Sequence, residues 1–164
     1  MELYRLDSSN WTRVSGNLIV DGRAQIVDDE KNSIYAVVLQ NYSNYDLWPY
    51  LAYMDSTGYG ISMVYHPDAS HHKAPLRRHS HLVIGSGTTD SEALSFTLAD
   101  DAQTGIGFLK LFVSSVFTPM NSIEQGPLST ATMFSPHSSK SIEKSSNHEI
   151  WDSLVACVTV VRKQ

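Results

Sequence analysis

Apolar residues along this chain come in short runs, broken every few positions by Asp, Asn, Ser, Thr or Gly. Inside the runs they alternate with polar residues or stand shoulder to shoulder, as strands with one or both faces buried do. The runs are "NLIVDG" (17–22), "AQIVDD" (24–29), "IYAVVLQN" (34–41), "LWPYLAYMDS" (47–56), "YGISMVYH" (59–66), "HLVIGSG" (81–87), "ALSFTLAD" (93–100), "IGFLKLFVSSVF" (106–117) and "SLVACVTVVRKQ" (153–164). β-Branched and aromatic side chains dominate them, which suits a pleated, half-buried surface. No stretch holds apolar residues at helical spacing for three turns. The pattern predicts an all-β chain.

The links between runs carry their own turn chemistry. "DSTG" at 55–58 joins two strands as a hairpin would, with Gly58 offered for a positive φ. "NYSNYD" at 41–46 and "ADDAQTG" at 99–105 supply Asn and Asp, which bond their own backbone in turns. Eight to nine short strands at this spacing predict a two-sheet antiparallel sandwich rather than a parallel sheet with crossover helices. One stretch departs from the pattern: "GPLSTATMFSPHSSKSIEKSSNHE", 126–149, is Ser-rich and poor in large apolar residues. It buries too little to offset its ordering entropy, so a long mobile loop is expected there. The strand after it must pair with earlier ones, which makes 1–164 a single domain with the loop as an insertion.

Composition narrows the function. At 164 residues, 41% hydrophobic and 18% charged, the chain is long enough to bury a core without covalent staples. A net charge of -5 disfavours nucleic acid and anionic membrane surfaces, both of which attract basic proteins. The lone Cys157 forms no internal disulfide, and "MELYRLDSSNWTRV" lacks the apolar centre of a signal peptide. A soluble, cytoplasmic protein is expected. Without a secretion signal, the sequons Asn10-Trp11-Thr12 and Asn41-Tyr42-Ser43 are chance matches.

Candidate chemistry is sparse. "YHPDASHHKAPLRRHSH", 65–81, holds His66, His71, His72, His79 and His81, five of the seven histidines. His79 and His81 are two apart on an expected strand and would share one side, a possible pair of metal ligands. Lys73, Arg77 and Arg78 stand among these imidazoles and disfavour a further cation, so no metal is expected and the stretch is a solvated loop that charges in acid. Cys157 lies in "LVACVTVV", where a buried inert thiol is expected instead of a nucleophile. No nucleophile elbow, phosphate-binding loop or calcium loop is present, and no catalytic constellation assembles. The aromatic run "YSNYDLWPYLAY", 42–53, offers stacking faces. By alternation Trp48, Tyr50, Ala52 and Met54 share one face, and Leu47, Leu51 and Tyr53 the other. Pro49 belongs at a sheet edge, a strand start or a bulge. Tyr42 and Tyr45, in the turn, are the exposed pair.

The order of these motifs carries a resemblance. "YAVVLQNYSNYDLWPYLAYMDSTGYGISMVYHPD", "APLRRHSHLVIGSG", "ALSFTL" and "GFLKLFVSS", with the opening "YRLDSSNWTRVSGNLIVDGRAQIV" and the closing "WDSLVACVTVV", resemble the accessory β-sandwich that follows caspase-like peptidase domains in mushroom-forming fungi. A bacterial domain of unknown function shows a related scheme. The resemblance implies an immunoglobulin-like sandwich and a non-catalytic companion in self/non-self or cell-death proteins. The peptidase His–Cys pair is not carried over, because no "QACRG"-type segment exists. Two functions follow as expectations. One is a binding module that docks on a protein partner or on itself. The other is a small cytoplasmic fungal lectin whose shallow carbohydrate site is formed by Tyr42, Tyr45, Trp48, His71 and His72. Neither needs a cofactor.

Overall fold

The computed structural model describes residues 1–28, 33–68, 70–87, 91–127 and 149–163. It has eight strands: β1 (Glu2–Leu6), β2 (Arg23–Asp28), β3 (Ile34–Asn41), β4 (Trp48–Asp55), β5 (Ile61–Tyr65), β6 (Ser80–Ile84), β7 (Thr104–Ser114) and β8 (Trp151–Arg162). A single 3₁₀ turn, Asn121–Ile123, is the one helical element among the described residues. No helix there is long and apolar enough to cross a membrane. The Ser-rich stretch expected to loop out over 126–149 falls, except for 126, 127 and 149, outside the described residues.

The strands form two sheets, β1-β3-β6 and β2-β8-β7-β4-β5. Their facing sides supply one core, with Leu3, Val37, Leu39 and Ile84 from the first sheet and Leu51, Leu109, Val158 and Val160 from the second. Each such side chain stabilises the fold by roughly 1.5–3 kcal/mol on full burial. Strand alternation explains the choice: in β2, Ala24 and Ile26 are buried while Gln25 and Val27 face solvent.

Several features differ from the expected pattern. β2 pairs parallel with β8, from Arg23↔Cys157 to Asp28↔Arg162, so the sandwich is not wholly antiparallel. A parallel pair needs a long connection, and here almost the entire chain lies between the two strands. The run 17–22 is no strand. Val20 and Arg23 exchange backbone hydrogen bonds of 2.8 and 2.9 Å across Asp21 and Gly22, both at positive φ (50° and 73°). That is the Asp-Gly hairpin turn of the two-residue type. In the 55–58 turn the positive φ falls on Tyr59 (54°) rather than Gly58, because Asp55 caps the N–H groups of Thr57 and Gly58 (3.0 and 2.8 Å). The run 93–100 pairs only at Leu94, which bonds Tyr35 of β3. β1 has no counterpart in the pattern, since five residues with Arg5 exposed give alternation little room to show.

Candidate functional site

The aromatic turn between β3 and β4 is built on Asn41, which is only 4% exposed. Its Oδ1 accepts hydrogen bonds from the N–H and hydroxyl of Ser43 (3.0 and 2.7 Å), a local Asn-x-Ser turn. Its Nδ2 donates to the carbonyls of Tyr45 (2.8 Å), Arg77 (3.0 Å) and Leu76 (3.3 Å). The sequon nitrogen is therefore enclosed in the fold. Asp46 holds the turn against the next segment: its carboxylate accepts from the Arg78 N–H at 2.9 Å and from the Arg77 guanidinium at 2.6 Å. The Arg78 N–H, followed by the charges of Arg77 and Arg78, keeps the Asp46 carboxyl below its ordinary range.

This frame leaves Tyr42 and Tyr45 in solvent, 82% and 52% exposed. Tyr42 and Ser43 line a cavity of ≈ 270 Å³ together with Leu39, Leu47, Leu111, Leu154 and Asp152. Trp48 does not join them. It lies on the outer face of the five-stranded sheet, 9% exposed, packed with Tyr50 and Ala74 and edge-on to Phe117 at 5.2 Å between centroids. Its reading as a ligand-stacking ring is corrected to a core role, because residues 117–120 fold back over that face. Pro49 is the second residue of β4, where β5 has not yet begun to pair, so its missing N–H costs no bond on that side.

Of the five histidines only His66 and His71 come together, at a cavity that Asp68 also lines. His71 and His72 are exposed, and His71 lines a cavity other than the one beneath Tyr42. The expected shared site of tyrosines, Trp48, His71 and His72 is thus divided. His79 precedes β6 at φ 50° and its Nε2 lies 2.9 Å from Asn44 Oδ1, so the same-side argument for His79 and His81 fails at the left-handed residue. Among the described residues, no three His, Cys, Asp or Glu side chains are placed to hold a metal ion. Cys157 is half-buried rather than enclosed, beside Phe108 of β7 and Arg23 of β2.

A larger feature has no signature in the sequence. Along one flank, β5 is the edge of the five-stranded sheet, and the segment 91–99 passes opposite it. Between them lies a trough of three adjoining cavities. The middle one, ≈ 260 Å³, is lined by Ser62–Val64 on one wall and Glu92–Phe96 on the other, with Tyr53 between. One end opens into ≈ 550 Å³ beside His66, Asp68 and Leu82, and the other into ≈ 470 Å³ beside Asp55, Thr57 and Thr104. The rings of Tyr53 and Phe96, edge to face at 5.6 Å, form part of its floor. The trough is lined by hydroxyls, aliphatic groups and aromatic faces, with the carboxylates of Asp55, Asp68 and Glu92 and the imidazoles of His66 and His71 towards its ends.

Comparison with protein-family models, curated proteins and solved structures gave no match to this chain. What the structure defines directly is the class: an all-β chain of two packed sheets with, among the described residues, a trough along one flank.

Proposed function

We propose that this chain is a non-catalytic binding module that docks on a protein partner in the cytoplasm. The observation that carries the proposal is the open flank, a trough bounded by a strand edge on one side and an extended segment on the other. Exposed sheet edges and grooves of this kind recruit polypeptide through backbone bonds and side-chain pockets. The immunoglobulin-like part of the reading is supported by the strand order. The first strand lies in one sheet, the second runs parallel to the last strand in the other, and β7, β4 and β5 continue that sheet. The resemblance to the companion modules of caspase-like peptidases in mushroom-forming fungi points to the same kind of role.

Panning a random-peptide phage library on the immobilised chain tests the proposal. Peptides should be enriched on the native chain and lost on Ser95→Arg, which fills the trough from an exposed position of its wall. Absence of any enriched peptide would sink it. One observation favours a second reading: the exposed Tyr42 lines a cavity together with Ser43, Asp152 and Ser153, a combination of ring face and polar groups suited to a sugar. A saturable glycan-array signal that survives EDTA and disappears in Tyr42→Ala would put the lectin reading first. Tyr45→Ala is the companion variant, since the frame uses the Tyr45 carbonyl and not its ring.

A further inference from the structure

We infer that the end of the trough beside Thr104 is a small-molecule site that takes a neutral pyranose sugar in a chamber walled by hydroxyl groups. This goes beyond the docking reading, because a sugar there needs neither a strand edge nor a polypeptide. The chamber, ≈ 470 Å³, follows from two glycines of β7. Gly105 and Gly107 stand opposite Val160 and Val158 of the core, so both belong to the inner face of the five-stranded sheet. A side chain at either would strike Leu98 or Tyr53, which lie over them. Glycine at alternate positions lowers the sheet surface at this end and brings the Tyr53 hydroxyl down over the β7 backbone. Gln125, held on Ile61 by two backbone bonds, and Pro127 border the chamber on the β5 side.

Hydrogen-bonding capacity in this chamber is unspent. Among the described residues the hydroxyls of Tyr53, Ser62, Ser95, Thr97 and Thr104 have no hydrogen-bond partner, and the Tyr53 oxygen is not sealed from solvent. Burial, then the Asp55 carboxylate, pushes the Tyr53 phenol up, so it stays a donor at neutral pH. Asp55 already caps the N–H groups of Thr57 and Gly58 at 3.0 and 2.8 Å. No Lys, Arg or His is among the described lining residues, so phosphates and carboxylates find no counter-charge. What remains is a ring of hydroxyls around the faces and edges of Tyr53 and Phe96. The C–H face of a pyranose packs on such rings while its hydroxyls exchange hydrogen bonds with the wall.

Titration of the isotope-labelled chain with glucose, galactose, mannose, N-acetylglucosamine, cellobiose and lactose, followed by amide shifts, tests the inference. At least one sugar should shift the amides of Ser62, Thr104 and Gly105 saturably. Tyr53→Phe removes only an unpartnered hydroxyl, so its melting curve should match the native one while affinity for that sugar falls about fivefold. Should that variant melt early, Thr104→Val, exposed at the start of β7, carries the same expected loss. Tyr42→Ala, in the cavity at the other end of β7 and β8, should leave affinity unchanged. No saturable shift, shifts confined to the surroundings of Tyr42, or full affinity in both hydroxyl variants overturns the inference. Equal or tighter binding of sialic or glucuronic acid does so too, since it would need a cation the chamber lacks. Enriched phage peptides without sugar binding overturn this inference alone, and sugar binding without enriched peptides overturns the docking reading alone.

Discussion

Replacing Asn41 by Asp changes one atom group of similar size and should nonetheless cost about 4 kcal/mol of folding stability at pH 7. The Asn41 amide nitrogen donates to three carbonyls, of Tyr45, Arg77 and Leu76, at 2.8, 3.0 and 3.3 Å. A carboxylate there donates nothing and sets its negative charge against three oxygens. The lost bonds account for roughly 0.5–1.5 kcal/mol each; the carbonyls keep other donors, the Leu47 N–H at Leu76 and the hydroxyls of Ser80 and Ser43 at Arg77 and Tyr45. Enclosing the charge at a side chain 4% exposed adds a further penalty, partly relieved by movement of the turn. Asn41→Ala removes these bonds and also the two that Oδ1 accepts from Ser43, but buries no charge, so it should cost about 2–3 kcal/mol. Urea unfolding followed by tryptophan fluorescence measures both. The pH dependence separates the two causes. An Asp in this setting has its folded pKa raised above the unfolded value near 3.9. Its deficit is therefore smallest below about pH 4, where it is protonated in both states, and widens as pH rises towards the folded value. Asn41→Asp within about 1 kcal/mol of the native chain at pH 7, or a deficit indifferent to pH, would refute this account of the turn.

Three more outcomes are expected. Gly107→Ala places a methyl against the Tyr53 hydroxyl and ring, which must move off Phe96; a loss of about 2 kcal/mol and a lower melting temperature should follow, and an unchanged melting curve would contradict the packing described. Tyr50→Phe leaves the Thr118 N–H, now 2.9 Å from the buried phenol oxygen, without its acceptor, at about 1–2 kcal/mol in the same assay. The Asp46 carboxyl, depressed by the Arg78 N–H and Arg77, contributes stability that is present above the unfolded carboxyl value and lost as pH falls through the folded one. Urea midpoints of Asp46→Asn should accordingly lie below the native ones at pH 6 to 7 and converge with them at acid pH, whereas a constant offset would assign Asp46 a role unrelated to its charge.

The strands whose apolar runs are long were legible from pattern alone. β3 occupies 34–41, the run itself, and β4, β7 and β8 fall within two residues of theirs at the start. Their inner faces are continuous with the core, so burial writes itself into the sequence. The departures arise where neighbours decide. The run 93–100 alternates as a strand should, yet beyond Leu94 it has no partner to make a ladder. Trp48 lies three positions after the exposed Tyr45, and alternation placed it on a face; only the return of residues 117–120 over that face made it core. The exposure of Tyr42 and Tyr45 was legible because a turn forces it. The flank was not, because a cavity between β5 and 91–99 depends on which strands become edges, and no local pattern encodes that.

What keeps such a flank open is a short stack of rings. Tyr35 of β3 meets Phe96 edge to face at 5.3 Å, and Phe96 meets Tyr53 of β4 in the same manner at 5.6 Å. The three rings span from one sheet to the other at the margin of the core, and Tyr35 and Phe96 are buried, 2% and 8% exposed. Rigid aromatic side chains with two torsions each hold separation better than aliphatic ones, which could repack and let β5 sink towards the facing segment. A trough held at fixed width is ordered before anything enters it, which lowers the entropy lost on binding. The same side chains therefore close the core from within and, on the docking proposal, hold the groove ready from without.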